Sequence, residues 1–249
     1  MARVVLTQPQ PRVAAFTDKL RARGHCAVEL SFSRLESNSP PDLARLIDSV
    51  DWVIAVSPAS VGFLFDSLED RWPGRAGLAL VGPGSLAAVR SRPLRRPPPV
   101  LVCPEAPPWD AAALMAQAPF HEPAGLRCVV VRGDSGRDQW IASLRSAGAE
   151  VEVLPIYLRQ PITPPASSVD TLLRWLAEPQ ALSWVFTQAS TVGQCQSLVG
   201  EALLAQRIDS DRALVIHPRI AEAARSVGFE HVNMLDPGLE SLLAALESA

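Results

Sequence analysis

Short apolar runs of strand length alternate along this chain with stretches whose apolar residues recur every third or fourth position. The first pattern predicts β-strands and the second amphipathic α-helices. At 128–131, Cys128, Val129, Val130 and Val131 form one such run. A turn carrying Gly133 and Gly136 follows. Trp140, Ile141 and Leu144 then fall at helical spacing, and Gly148 stands where a helix would be capped. Alternation returns over 151–160 with β-branched and aromatic residues, so the stretch reads as strand, helix, strand.

The same unit opens the chain: a strand over 3–7, a turn at Gln8-Pro9-Gln10-Pro11, a helix over 13–23 ended by Gly24, and an alternating strand over 26–35. At a constant offset of 124 residues, Phe16 falls on Trp140, Leu20 on Leu144, Arg21 on Arg145, Gly24 on Gly148 and Leu30 on Leu154. A gap-free match of this length predicts two copies of one supersecondary unit.

Further strand–turn–helix steps follow each copy. After the first come a linker at Pro40-Pro41, a helix over 42–49, strands at 51–56 and 78–81, and helices at 61–68 and 86–90. After the second come helices at 171–176, 192–198 and 220–227 and strands at 183–186 and 213–216. Prolines break the segment 92–108, leaving a short strand at 100–103; Arg90, Arg92, Arg95 and Arg96 there read as a solvated face. The alternation predicts an α/β fold with parallel sheets covered on both faces.

Composition narrows the function classes. With 48% hydrophobic and 20% charged residues the chain can bury a sizeable core. A net charge of −3 without a basic run argues against duplex nucleic acid as partner. No apolar stretch is long enough to span a bilayer, and the amino terminus runs straight into a strand, so a soluble, cytoplasmic protein is expected. Cys26, Cys103, Cys128 and Cys195 are scattered without metal-ligand spacing, and three of them lie in or beside strand-like runs, where cysteine is usually a small buried hydrophobe.

In open parallel sheets ligands bind at the carboxyl ends of strands, beside helix amino termini. Six turns of this sequence are such places: Thr7-Gln8, Ser57 to Ser60, Gly82 to Ser85, Arg132-Gly133, Thr187-Gln188 to Ser190, and His217 to Arg219. Backbone amides and the helix dipole there suit carboxylates or phosphates. Each turn taken singly also reads as a helix cap. No nucleotide fingerprint, nucleophile elbow or paired-carboxylate signature occurs.

Several of these motifs, in order, resemble the uroporphyrinogen-III synthase family. They are Leu6-Thr7-Gln8-Pro9, Val130-Val131-Arg132-Gly133-Asp134 with Gly136-Arg137, Leu144 through Gly148 to Val151, Ile156-Tyr157, Phe186-Thr187, and His217-Pro218-Arg219-Ile220-Ala221 before a terminal helix ending at Gly228-Phe229. The resemblance spans nearly the whole chain. It implies two doubly wound α/β domains joined by a two-stranded linker, with the active site in an interdomain cleft. Applied here, one domain is discontinuous (1–32 plus 164–249), the other is inserted (36–158), and the linker strands lie near 26–35 and 151–160.

The implied reaction closes the linear tetrapyrrole hydroxymethylbilane with inversion of ring D and loss of water, a lyase step in tetrapyrrole and heme biosynthesis. It implies no metal and no cofactor, a monomer, and a small-molecule linear tetrapyrrole as the partner. Tyr157, the one tyrosine of the chain, is the implied catalytic residue, because a neutral phenol can donate a hydrogen bond to the departing hydroxyl. Its alternative reading is a half-buried strand aromatic. The implied substrate-binding residues are Thr7, Gln8, Ser57, Ser60, Gly82, Ser85, Arg132, Gly133, Thr187, Gln188, Ser190, His217 and Arg219. A second reading of the same sequence is a non-catalytic, hinged two-domain binder of an acidic small molecule.

Overall fold

In the computed structural model the described residues are 1–107, 109–136, 138–207, 209–236 and 239–247. Pro108, Arg137 and residues 248–249, which fall in segments read above, lie outside them. The chain begins with β1 (Arg3–Leu6), α1 (Arg12–Ala22), β2 (Cys26–Glu29) and β3 (Ser33–Ser37). It continues with α2 (Leu43–Asp48), β4 (Trp52–Ala55), α3 (Pro58–Ser67), β5 (Gly77–Leu80), α4 (Pro83–Arg90), β6 (Leu101–Val102) and α5 (Ala111–Met115). Next come β7 (Arg127–Gly133), α6 (Gln139–Ser146), β8 (Glu150–Pro161), α7 (Ala166–Leu176), β9 (Leu182–Phe186) and α8 (Ala189–Val199). The chain ends with α9 (Glu201–Ala205), β10 (Arg212–Val215), α10 (Pro218–Ser226), β11 (His231–Met234) and α11 (Leu239–Glu247).

Two compact units result, one of residues 1–35 and 160–249 and one of residues 36–159. The first holds a sheet ordered β11-β10-β9-β1-β2, with every neighbouring pair parallel. The second unit's sheet is ordered β3-β8-β7-β4-β5-β6, with β4 to β8 joined by parallel pairings. The chain leaves the first unit within β3 and returns to it within β8.

The duplication read from sequence is carried into atomic detail. Arg3 pairs with Cys26 as Arg127 pairs with Glu150, the same register at the same offset. Arg21 donates to the carbonyl of Ala27, and Arg145 to that of Val151. Gly24 and Gly148 both take left-handed φ values, +79° and +93°, which reverse the chain after α1 and α6 at no steric cost. Farther on, the Gln10 amide donates to the Ser33 carbonyl as the Asp134 amide donates to that of Tyr157. Tyr157 and Ser33 therefore occupy one repeat position.

Both faces of the first unit's sheet are buried. Val5, Trp184 and Phe186 point into one apolar cluster, and Val4, Leu6 and Val185 into another on the opposite face. This is why their strands read as unbroken apolar runs. In the second unit Ile54, Ala79, Cys128, Val130, Ile141 and Leu144 share a cluster. Burial, with Asp51 nearby, pushes the Cys128 thiol up to about 11, so it stays protonated at neutral pH.

Three readings are corrected. Residues 26–35 are not one strand: the chain bends at Leu30 to Phe32, so β2 joins the first sheet and β3 the second. The helix ending before Gly228 is not terminal, because β11 and α11 follow. The arginines of the proline-rich segment are not uniformly solvated, since Arg92 is half-buried and paired with Asp66 and Asp70.

Candidate active site

The strand order reverses between β1 and β9 in the first unit and between β4 and β7 in the second. Such a switch point opens a crevice at the carboxyl ends of the strands. Every candidate site residue lies at that end of its own sheet. In the first unit the turns after β10, β9 and β1 stand side by side and carry His217 to Arg219, Thr187 to Ser190, and Thr7 with Gln8. In the second, the same end brings together Tyr157 of β8, Arg132 and Gly133 of β7, Ser57 and Ser60 beyond β4, and Gly82 and Ser85 beyond β5.

Hydrogen bonding separates these residues by availability. Thr7 is buried; its hydroxyl donates to the Val185 carbonyl at 2.7 Å and closes the β1–β9 junction. Thr191 donates to the Gln188 carbonyl at 2.7 Å, so the 3.4 Å contact between the two hydroxyls has no proton left to share. Gln8 is 5% exposed, and its Oε1 has no partner among the described residues, although its carbonyl receives the Ser31 hydroxyl at 2.6 Å. A buried amide oxygen without a donor is costly, so Gln8 Oε1 is open to a hydrogen-bond donor. Its repeat partner Arg132 has an orphaned donor instead: the guanidinium is held by Asp138, while its Nε is buried without a partner among the described residues.

The helix amino termini divide in the same way. Ser57 caps α3 by accepting from the Ser60 amide at 3.1 Å, and the two hydroxyls lie 2.8 Å apart. His217 caps α10 through Nδ1, which accepts from the Arg219 amide at 3.1 Å, so the neutral ring carries its proton on Nε2. Arg219 is exposed. By contrast α4 starts at Gly82, which has no side chain, and α8 starts at Gln188 without a side-chain cap. No side chain caps the first-turn amides of α8, which suits them to an anion, whereas in α4 Pro83 has no N–H and the Ser85 amide donates to the Gly82 carbonyl at 3.1 Å. Thr187 and Gln188 are half-buried and Ser190 exposed at that end of α8, whereas Ser60 and Ser85 are buried.

This division gives a prediction. Ser57→Ala removes a cap and should lower stability by about 1 kcal/mol, or about 2–4 °C in melting temperature for a chain of this size. Affinity for a carboxylate ligand should change little, because that hydroxyl is already engaged. Melting curves and titration of the same variant check it; lost affinity at an unchanged melting temperature would reverse the assignment.

Tyr157 is placed by a β-bulge. Arg132 pairs with Pro155 but Gly133 with Tyr157, so Ile156 is skipped and the tyrosine is turned toward the end of β7. Its ring stacks on Phe63 of α3, with centroids 5.3 Å apart. On the other side it covers Gly133, where a Cβ would fall 2.7 Å from the ring. Only glycine fits there, which gives this turn residue a physical reason that its sequence context did not reveal. The ring is 8% exposed, and its hydroxyl makes no hydrogen bond to a described residue. Trp109, absent from the sequence reading, is 42% exposed and lies against Gly82, where an added Cβ would meet it at 3.0 Å. It follows a proline-broken segment without periodicity, so nothing in its context pointed to it.

These features define a two-unit, doubly wound α/β protein. Each unit gathers polar turns and uncapped helix starts at the carboxyl edge of its sheet. A family model described as HEM4, uroporphyrinogen-III synthase HemD, matches residues 14–244, and the chain belongs to that family. A relative from Escherichia coli (strain K12), named uroporphyrinogen-III synthase, is 25% identical, with 98% of this chain and 99% of that protein covered. Among solved structures, a mutant uroporphyrinogen III synthase from the extremely thermophilic bacterium Thermus thermophilus matches at TM-score 0.56 and 19% identity, covering 100% of this chain and 98% of that one. The uroporphyrinogen-III synthetase of Helicobacter pylori 26695 matches at TM-score 0.57 and 12% identity, covering 100% and 99%. Both share the fold. Among the described residues no helix is long and apolar enough to cross a membrane.

Proposed function

We propose that the protein closes hydroxymethylbilane to uroporphyrinogen III, inverting ring D and releasing water. The observation that carries the reading, given the family, is Tyr157: a neutral phenol fixed between Phe63 and Gly133, with its hydroxyl bonded to no described residue. In the proposed step the hydroxymethyl C–O bond of ring A breaks with its electron pair on oxygen, Tyr157 donates a hydrogen bond to that oxygen, and a solvent proton, returned when ring D later loses its own, completes the departing water. Ring D attacks the resulting azafulvenium carbon through its substituted position. The spiro intermediate then fragments and recloses with ring D inverted, and loss of a proton restores the pyrrole.

Backbone amides at the start of α8, with the exposed Arg219 on the same sheet, suit carboxylates of the substrate. Gln8 Oε1 suits a pyrrole N–H, a donor without charge. Holding a flexible chain in one reactive fold supplies much of such a rate enhancement, and preorganised backbone donors add electrostatic stabilisation. The enzyme is proposed to be a lyase that acts as a cytoplasmic monomer without a cofactor.

Incubating the protein with hydroxymethylbilane and separating the uroporphyrinogen isomers tests the reading. Uroporphyrinogen III should dominate, whereas the unaided reaction closes without inversion. Saturable binding with only the uninverted isomer would leave the hinged binder as the better reading.

A further inference from the structure

The second unit contains a cavity that the tetrapyrrole reading leaves unused. It measures about 420 Å³ and is lined by Arg71, Trp72, Pro73, Arg95 and Arg96. Arg71 and Trp72 precede β5, and Arg95 and Arg96 precede β6, so it lies toward the amino ends of these strands. Tyr157, Gly82 and the other turn residues stand at the opposite edge of the same sheet.

Three arginines line it and no acidic residue does, in a chain whose net charge is −3. None of the three is paired with a described carboxylate. Their neighbour Arg92 behaves differently: it takes both Asp66 and Asp70, the acids that could have neutralised the cluster. Within the sequence run of arginines, Arg92 is thus tied to two acids, while Arg95 and Arg96 line the cavity together with Arg71.

The walls are fixed by backbone rather than by the arginine side chains. Arg71 and Arg96 form a parallel bridge, and the Trp72 amide donates to the Arg96 carbonyl at 2.9 Å. The Asp70 carbonyl receives the amides of both Arg95 and Arg96. To present that carbonyl, Glu69 and Asp70 adopt left-handed φ values of 51° and 59°. Consecutive non-glycine residues in that region carry strain that the surroundings must hold. Trp72 is itself pinned by its indole N–H to the Ala76 carbonyl at 2.8 Å.

We propose that this cavity is a second ligand site, separate from the tetrapyrrole turns, for a small anion bearing two or more phosphate or carboxylate groups. Guanidinium groups bind either kind through paired, charge-assisted hydrogen bonds. The volume lies within the usual range for small-molecule pockets, roughly 300–1,000 Å³.

Calorimetric titration of the full chain with inorganic pyrophosphate, and separately with citrate, tests the proposal and distinguishes the two ligand chemistries. At least one should bind saturably, more weakly at about 0.15 M salt than at low salt. The Arg71→Gln/Arg96→Gln pair should weaken binding at least about tenfold, since each charge-assisted bond is strong enough for that factor. Arg45→Gln, an exposed arginine outside the cavity, should not. The double variant should melt with the parent when no ligand is present, because the walls rest on main-chain bonds, and Arg95→Gln gives an independent second reading. Absence of saturable binding by either probe overturns the proposal. So does equal affinity in the double variant, or loss of binding in Ser190→Ala instead, which would put the anion at the start of α8.

Discussion

Asp211→Ala lowers stability by about 3–5 kcal/mol, the usual cost of stranding one member of a buried ion pair. In a chain of this size that is about 6–20 °C in melting temperature. Asp211 is fully buried, and its carboxylate has three donors. The Leu182 amide and the Trp184 indole N–H each lie 2.9 Å away, and Arg207 lies 3.1 Å away. Arg207 also donates to the Glu178 and Gln180 carbonyls, both at 2.6 Å. This one carboxylate therefore ties the entry to β9 to the turn before β10 and sets the depth of Trp184 among Phe186 and Phe229. Alanine would orphan two N–H donors and leave a guanidinium that is 10% exposed without its counter-charge. Asp211→Asn should recover only part of the loss, because one amide nitrogen would face a donor and the charge would stay unpaired. Thermal unfolding of the three proteins measures this. A loss under about 1 kcal/mol, the range of exposed pairs, would show that the network adds nothing beyond a surface bridge.

The frame of the fold was legible because its signals are local. Apolar runs at 128–131 and 183–186 are strands buried on both faces, and Gly24 and Gly148 need the left-handed backbone that makes them glycines. The offset linking Arg21 to Arg145 holds down to the carbonyl each one binds. What escaped detection lacked a periodic signal. The pattern of β11 is mostly exposed because it is a sheet edge, and α5 and α9 have five residues each, too few for a helical stripe to repeat. The break within 26–35 was hidden because alternation continues across it while the chain changes sheets. For the site, position was readable but availability was not. Ser57, Ser190 and His217 look alike as cap-type residues, yet Ser57 and His217 spend their acceptors on their own helices and Ser190 does not. Gln8 and Arg132 differ chemically, so their shared orphaned atoms become visible only once the repeat is built.

Tyr157→Phe lowers turnover by about one to two orders of magnitude, at or just below the low end of the roughly 10²–10⁴-fold range for a positioned proton donor. The substitution removes the hydroxyl alone. Stacking on Phe63 and the fit over Gly133 depend on the ring, so both persist. The hydroxyl has no hydrogen bond to a described residue to lose, and its removal should shift the melting temperature little. Hydroxide is a poor leaving group, and a phenol aligned with the breaking C–O bond lowers that barrier. Water or a substrate carboxylate can stand in for it in part, which keeps the effect finite. KM should move less than kcat, since the donor matters most as the bond breaks. The isomer ratio gives a separate readout. Substrate that waits longer in solution closes without inversion, so the variant should accumulate more of the uninverted product at equal conversion. Stopped-flow turnover, isomer separation and a melting curve on one preparation decide the matter. A folded variant as fast as the parent would make Tyr157 a packing residue, and the donor would then be sought among Thr187, Ser190 and His217.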